Sequence, residues 1–437
     1  MAIFSTKNLN DLEKRTYKLH LAYSVLEGIV LGVLALNEFV FLKSLKGSSM
    51  QLGILFQFSM LVFIGLIFIN ELIRRTKNKA KMLRKTAILT RLPLVLLIFF
   101  PQSEDAMNGQ SYFHFIFLLI FLIYYLASPI IYPTINQFLK NTYRHENFGK
   151  LYSRVTSINK IVMLFVTFIY GYYLDLFPYA YTWVYPIIAI IGIVSVFLLS
   201  KIPYEEKDII IKKPFIESVK NSMNGMKKLI LSNKPYLHFE LGFMLYGFAF
   251  MSTIAVITIY YNDVLHLNYS SVAFYKNSYN ILAIILLPFF GRLLGKIDPR
   301  KFAAITFASM LLYIAALAIT QYDPIYSDLL NIRIYYWMLV YIFFHGIFAA
   351  TMSLLWFIGS AYFGRSEDAG DLQSVHLSLT GVRAAFAPII GILFYQWFGF
   401  TLTFSVAIIS LFLAILLMIW SYRRFKVKNL QSEKIIE

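Results

Sequence analysis

Cysteine is missing altogether from the 437 residues, which excludes disulfides, cysteine-ligated zinc and iron–sulfur clusters. Charge is scarce. Asp, Glu, Lys and Arg together make up 14% of the chain, against about a quarter in an ordinary soluble domain. Alternating segments of about ten residues, the mark of a membrane barrel, are absent. No Gly-x-x-x-x-Gly-Lys-Ser/Thr loop is present to cradle a nucleotide, so ATP-driven work by this chain is not expected. A His-Glu-x-x-His zinc motif and a Gly-x-Ser-x-Gly nucleophile turn are missing too, and neither an enzyme nor a cofactor is expected.

What is present is apolar: 59% of residues are hydrophobic, and they fall in long runs. That pattern predicts an all-α polytopic membrane protein. Twelve runs of about 20 residues are long enough to span. They lie near 19–42, 51–73, 86–101, 112–138, 155–174, 180–200, 239–261, 271–291, 301–320, 334–360, 374–397 and 402–422. The first follows a polar leader without a small-residue cleavage site and reads as a retained helix rather than a signal peptide.

The net charge of +17 suggests nucleic acid until the bases are located. Most lie in the N-terminus, the even-numbered loops and the C-terminus, as with Arg74, Arg75, Lys77, Lys79, Lys81, Arg84 and Lys85. The opposite side is almost free of base: Gln102–Ser111 carries Glu104 and Asp105, and Gln321–Asn331 carries Asp323 and Asp328. This asymmetry places both termini in the cytoplasm. It is a topology signal, and no nucleic-acid partner is expected.

Two stretches repeat each other at an offset of 221 residues. Tyr143-Arg144-His145-Glu146-Asn147-Phe148-Gly149-Lys150-Leu151-Tyr152-Ser153 matches Gly364-Arg365-Ser366-Glu367-Asp368-Ala369-Gly370-Asp371-Leu372-Gln373-Ser374. The shared pattern is Arg-x-Glu-Asn/Asp-x-Gly-x-Leu-x-Ser. An offset near half the chain predicts two copies of one six-helix unit, 1–200 and 236–437, as in transporters whose halves move about a central site. Between them, 201–235 forms a cytoplasmic connector that opens with Tyr204-Glu205-Glu206-Lys207-Asp208. There Phe215, Ile216, Val219, Met223, Met226 and Ile230 recur at helical spacing among Lys220, Lys227 and Lys228, predicting an amphipathic helix at the membrane surface.

Twelve spans, the duplication, cytoplasmic termini and the long central loop together resemble the major facilitator superfamily over essentially the whole chain. Leu45-Lys46-Gly47-Ser48-Ser49-Met50-Gln51-Leu52-Gly53 is similar to the family's approach to its second helix. Gly291-Arg292-Leu293-Leu294-Gly295-Lys296-Ile297-Asp298-Pro299-Arg300-Lys301 is similar to its signature loop after the eighth, and Asn70–Lys79 is a degenerate counterpart. The family's latch Asp is replaced by Arg74 and Gly295, so the resemblance carries no gating residue over. Candidates for that role are Arg144, Glu146, Arg365, Glu367 and Asp298, with Glu71 nearby. His376–Pro388 resembles the eleventh helix of a bacterial facilitator group without an assigned substrate.

Ionisable groups deep in an apolar run cost about 2.5–3.5 kcal/mol and call for a partner, a wet cavity or a function. Glu27, His345 and Arg383 lie deepest. Glu27 and Glu38 are eleven residues apart, three turns on one helix face. The resemblance implies that the first helix borders the central cavity. Two readings of Glu27 stay open: a proton carrier reset by Arg383, which binds an anionic substrate, or a fixed Glu27–Arg383 pair. Arg91 and Lys160 are shallow enough to snorkel to the cytoplasmic surface. Lys276, near Asn277 and Asn280, either meets Glu38 across the outer mouth or reaches water. Glu240 reads as interfacial. His345 is a proton relay or a buried neutral imidazole, with Tyr124 its counterpart at the 221-residue offset.

Deep bases outnumber deep acids, which favours anionic substrates. The expected function is secondary transport of a small solute by alternating access, by a monomer in the bacterial inner membrane, with protons as a candidate coupling ion. The alternatives are an exporter of lipophilic cations held by Glu27 and Glu38, and a sensor or scaffold on the same fold.

Overall fold

A computed structural model describes residues 9–103, 112–203, 214–364 and 369–425. The expected charges Glu104 and Asp105, the stretch Tyr204–Asp208, and Arg365 and Glu367 lie outside the described residues. The side chain of Glu146 does too.

The chain divides into two compact units, one ending at Val219 and one beginning at Lys220. The first holds α1 (Asp11–Leu34), α2 (Asn37–Lys43), α3 (Ser49–Leu61), α4 (Leu66–Arg75) and α5 (Lys79–Arg91). A 3-10 turn over Leu92–Phe99 follows, then α6 (Tyr112–Tyr125), α7 (Ser128–Thr142), α8 (His145–Leu176) and α9 (Tyr181–Leu199). Helix α10 (Phe215–Ser232) contains the boundary. The second unit holds α11 (Lys234–Asp263), α12 (Tyr269–Leu294), α13 (Pro299–Ile319), α14 (Tyr336–Leu354), α15 (Ala369–Ala384) and α16 (Ala387–Arg424).

Among the described residues, nine helical stretches are long and apolar enough to cross a membrane, fewer than the twelve expected from hydropathy. The difference has local causes. The expected second span is split into α3 and α4 by a turn at 62–65, and the third is half 3-10 because Pro93 withholds an amide from the helix ladder. The last two expected spans are joined as one stretch, Val375–Arg424, bent at Gly399, whose φ of 75° and ψ of −175° only glycine adopts without strain. The outward faces carry large apolar side chains such as Phe99, Phe165, Ile169, Ile190 and Ile285. Such continuous exposure suits lipid rather than water.

Helix starts are written locally. Asn10 with Glu13 and Ser48 with Gln51 form reciprocal capping boxes, which satisfy amides that the first turn leaves without partners. Close packing depends on small residues. A methyl added to Gly28 would sit 2.8 Å from the Asn159 carbonyl, and one on Gly32 2.7 Å from Val166 Cβ; α1 and α8 therefore pack backbone to backbone.

The duplication is visible in bond patterns. Leu45 and Gly47 donate to the carbonyls of Val40 and Phe41, while Leu265 and Leu267 donate to those of Tyr260 and Tyr261. Lys46 and His266, 220 residues apart, both take positive φ (55° and 47°), and Ser48 and Asn268 cap the helices that follow. The second unit adds something hydropathy does not foresee, a two-stranded antiparallel hairpin of β1 (Tyr326–Leu329) and β2 (Ile332–Tyr335). Its turn residues Leu330 and Asn331 have φ of 49° and 63°, the sense that matches strand twist in two-residue hairpins. Asp328 pairs across the strands with Arg333 at 3.3 Å.

Candidate functional site

In the first unit, three helices meet at Glu27. Its Oε1 accepts from Arg91 Nη2 at 2.7 Å, and its Oε2 accepts from Arg91 Nη1 at 3.0 Å and from Ser195 Oγ at 2.9 Å. Arg91 Nη1 also donates to the Gly192 carbonyl. A guanidinium fork on a carboxylate is the strongest common charged pairing. Arg91 is only 3% exposed, so the expectation that it snorkels to the surface is overturned: its charge is balanced inside the unit. Glu27, expected opposite Arg383, has its carboxylate engaged by Arg91 and Ser195. Gly192 makes room for the arrangement, since a Cβ there would lie 2.5 Å from Arg91 Nη1. Gly192 and Ser195 escape sequence reading because nothing local ties the ninth helix to the first.

The register linking Glu27 to Glu38 is interrupted. Helix α1 ends at Leu34, Leu36 leaves helical geometry (φ −107°, ψ 5°), and α2 restarts at Asn37. Glu38 is half-buried beside Asn37, whose amide donates to the Tyr125 hydroxyl at 3.5 Å. Lys276 is half-buried in the second unit on α12, where Asn280 donates to its carbonyl at 2.6 Å. Lys160 is half-buried on α8.

The second unit builds a different centre between α11 and α15. Arg383 is 1% exposed. Its Nη1 donates to the Phe243 carbonyl at 2.6 Å and its Nη2 to Thr380 Oγ1 at 3.1 Å. Its guanidinium carbon lies 5.8 Å from the Tyr246 ring centre and 5.9 Å from that of Trp356. Among the described residues it forms no ion pair. Gly247 lets it lie flat against α11, because a Cβ there would fall 2.2 Å from Nε. Two turns away, Glu240 is buried, with His376 Nδ1 3.1 Å from both carboxylate oxygens. Glu240, expected at the membrane interface, has its side chain buried within the unit, and its pairing lets a carboxylate sit there. The sequence signal was His376 in the eleventh-helix motif, seven residues before Arg383 and so on the same face.

His345 is packed between rings. Tyr279 stacks on it with centroids 3.7 Å apart and 7° between planes, and Tyr313 at 4.4 Å and 11°. Tyr341 meets it edge-on at 5.0 Å and shares a 2.9 Å hydroxyl bond with Tyr261. The gating candidates whose side chains are described, Arg144 and Asp298 with the neighbouring Glu71, find partners within their own units. Arg144 binds Glu13 at 3.1 Å, and Asn147 and the Arg144 amide donate to the other oxygen of that carboxylate. Asp298 pairs with the wholly buried Arg300 at 2.9 Å, which also donates to the Ser421 carbonyl. Glu71 pairs with Arg75 at 2.7 Å. Glu13, unnoticed in the sequence reading, was marked by its capping box with Asn10.

The model of the Major Facilitator Superfamily matches residues 21–332. No curated protein sequence matches the chain. Among solved structures, a point variant of the nucleoside transporter NupG superimposes with a TM-score of 0.66 at 14% identity, covering 95% of this chain and 100% of that one. A point variant of the peptide transporter POT in complex with sulfate gives 0.69 at 12% identity, covering 94% of each chain. The xylose transporter XylE from E. coli, in a partially occluded inward-open conformation, gives 0.61 at 12% identity, covering 95% and 99%. At such identities the likeness is one of fold.

Proposed function

The chain belongs to the Major Facilitator Superfamily, and from that premise we propose that it is a secondary active transporter of a small anionic solute, with Arg383 as the anion anchor. Twelve crossings, cytoplasmic termini, alternating access between the 1–200 and 236–437 halves, and a monomer in a bacterial inner membrane complete the proposal. One observation carries it: Arg383 is a buried guanidinium whose direct partners are a carbonyl, a hydroxyl and two ring faces. Its hydrogen-bond partners are neutral and no carboxylate is seen to pair with it directly among the described residues, so a carboxylate, sulfate or phosphate group could receive it bidentately.

The first unit supports the same choice by elimination. Glu27 is held by Arg91 and Ser195, which favours a fixed structural pair over a proton carrier and removes the main anchor of a cation exporter. The test is thermal unfolding of the purified protein against a panel of carboxylates, phosphates and lipophilic cations. An anion at a hundred times its dissociation constant should add about 2.7 kcal/mol, and Arg383→Gln should abolish that gain. Stabilisation by cations alone, or by anions equally in Arg383→Gln, would refute the assignment.

A further inference from the structure

Resting on that transport reading, we propose that Glu240 and His376 form a proton-binding dyad whose charge sets the affinity of Arg383 for an anion, coupling transport to a proton gradient. Two facing helix stripes build it. On α15, His376, Thr380 and Arg383 follow at four and then three residues, one face of a helix. On α11, Glu240, Phe243 and Gly247 follow at three and then four, the complementary face. The stripes interlock. Thr380 Oγ donates to the His376 carbonyl at 2.9 Å and accepts from Arg383 at 3.1 Å. Phe243 gives its carbonyl to Arg383 at 2.6 Å and sets its ring edge-on to His376 at 4.8 Å. Trp356 touches both, 5.0 Å from the His376 ring and 5.9 Å from the Arg383 guanidinium carbon.

His376 is 1% exposed, and its Nε2 has no hydrogen-bond partner among the described residues. An imidazole held by a carboxylate at one nitrogen and unengaged at the other has an open position for one proton. Among the described residues, the other titratable groups near the dyad are Tyr236, which donates to the Leu372 carbonyl at 2.7 Å and neighbours Glu240, and Arg383, which Tyr246 flanks. With Glu240 ionised and His376 neutral, the dyad places one negative charge within electrostatic reach of Arg383. Adding a proton cancels that charge, so the guanidinium becomes more available to a diffusible anion. Linkage makes the effect reciprocal: anion binding strengthens proton binding. The two ligands therefore load together, the requirement of symport.

The experiment uses the full-length chain with Trp356 as its only tryptophan (Trp183, Trp337, Trp397 and Trp420 replaced by Phe), because an imidazolium beside an indole quenches its fluorescence. Emission should show one transition between about pH 5 and pH 9. It should be absent in His376→Gln and abolished, or moved by more than a pH unit, in Glu240→Gln. A transition that persists unchanged in both variants, or none in the parent, overturns the dyad. Sulfate, whose charge is constant over this range, is then titrated at both ends. The parent should bind it about tenfold more tightly at the acidic end, and Glu240→Gln with the same affinity at both. Equal sulfate binding by the parent at both ends defeats the coupling but leaves the anchor standing. No sulfate binding at either end defeats the anchor, while the fluorescence still decides the dyad. Should Glu240→Gln not remain monodisperse, His376→Gln supplies both comparisons.

Discussion

Glu27, Arg91, Ser195 and Gly192 come from three helices and behave as one object. Replacing Glu27 by Gln leaves a buried guanidinium without its counter-charge, a loss of about 3–5 kcal/mol when one partner of a buried pair is removed. The thermal midpoint of Glu27→Gln should therefore fall steeply. The double change Glu27→Leu with Arg91→Met should recover most of it, since hydrophobic replacement of a whole pair is often neutral. An unchanged midpoint in Glu27→Gln accompanied by lost proton-driven accumulation would restore this residue as the coupling acid. Gly192→Ala tests the same centre from the opposite side: its methyl would meet Arg91 Nη1 at 2.5 Å, and overpacking of this kind costs about 1–3 kcal/mol. The sequence shows Glu27 as deep and Arg91 as shallow enough to snorkel, and depth alone does not select a partner. Arg383 was the expected match for Glu27, because hydropathy orders residues along a span without saying which spans touch.

Helix continuity is decided by backbone geometry that hydropathy does not record. Leu31 through Leu36 is as apolar as the rest of its run, yet α1 stops at Leu34 and α2 begins at Asn37. The three-turn arithmetic placing Glu38 over Glu27 assumed one unbroken helix. At the other end of the chain the gap between the expected spans 374–397 and 402–422 brackets Gly399, where α16 bends. There the sequence was legible because glycine tolerates a conformation that other residues reach only with strain. Gly399→Ala should cost about 1–3 kcal/mol and raise hydrogen exchange on both sides of the bend. Normal exchange would mean that the bend is not needed. The hairpin at Tyr326–Tyr335 was hidden because only ten residues encode it, and Leu330 is a poor residue for its left-handed turn.

The duplicated plan repeats geometry while changing chemistry. Glu13 binds the amide and guanidinium of Arg144, whereas Asn233, 220 residues later, donates to the Phe363 carbonyl at 2.7 Å. A cysteine-free chain is suited to testing the proposed topology. A cysteine at the exposed Lys77 should be shielded from a membrane-impermeant maleimide in intact cells, and one at Leu330, 87% exposed, should react. The reverse pattern would invert the orientation read from charge asymmetry. The sequence by itself determined that this is a helical membrane protein, and it carried the internal repeat and the deep placement of Glu27 and Arg383. Those properties follow from composition, spacing and the cost of bringing polar groups into lipid, all of them readable along one dimension. Only the tertiary structure decided that Glu27 belongs to Arg91, that Glu240 belongs to His376, and that Arg383 has no carboxylate partner among the described residues. Each of these depends on which helices lie side by side and on glycines that let side chains pass between them, and hydropathy along a span carries neither.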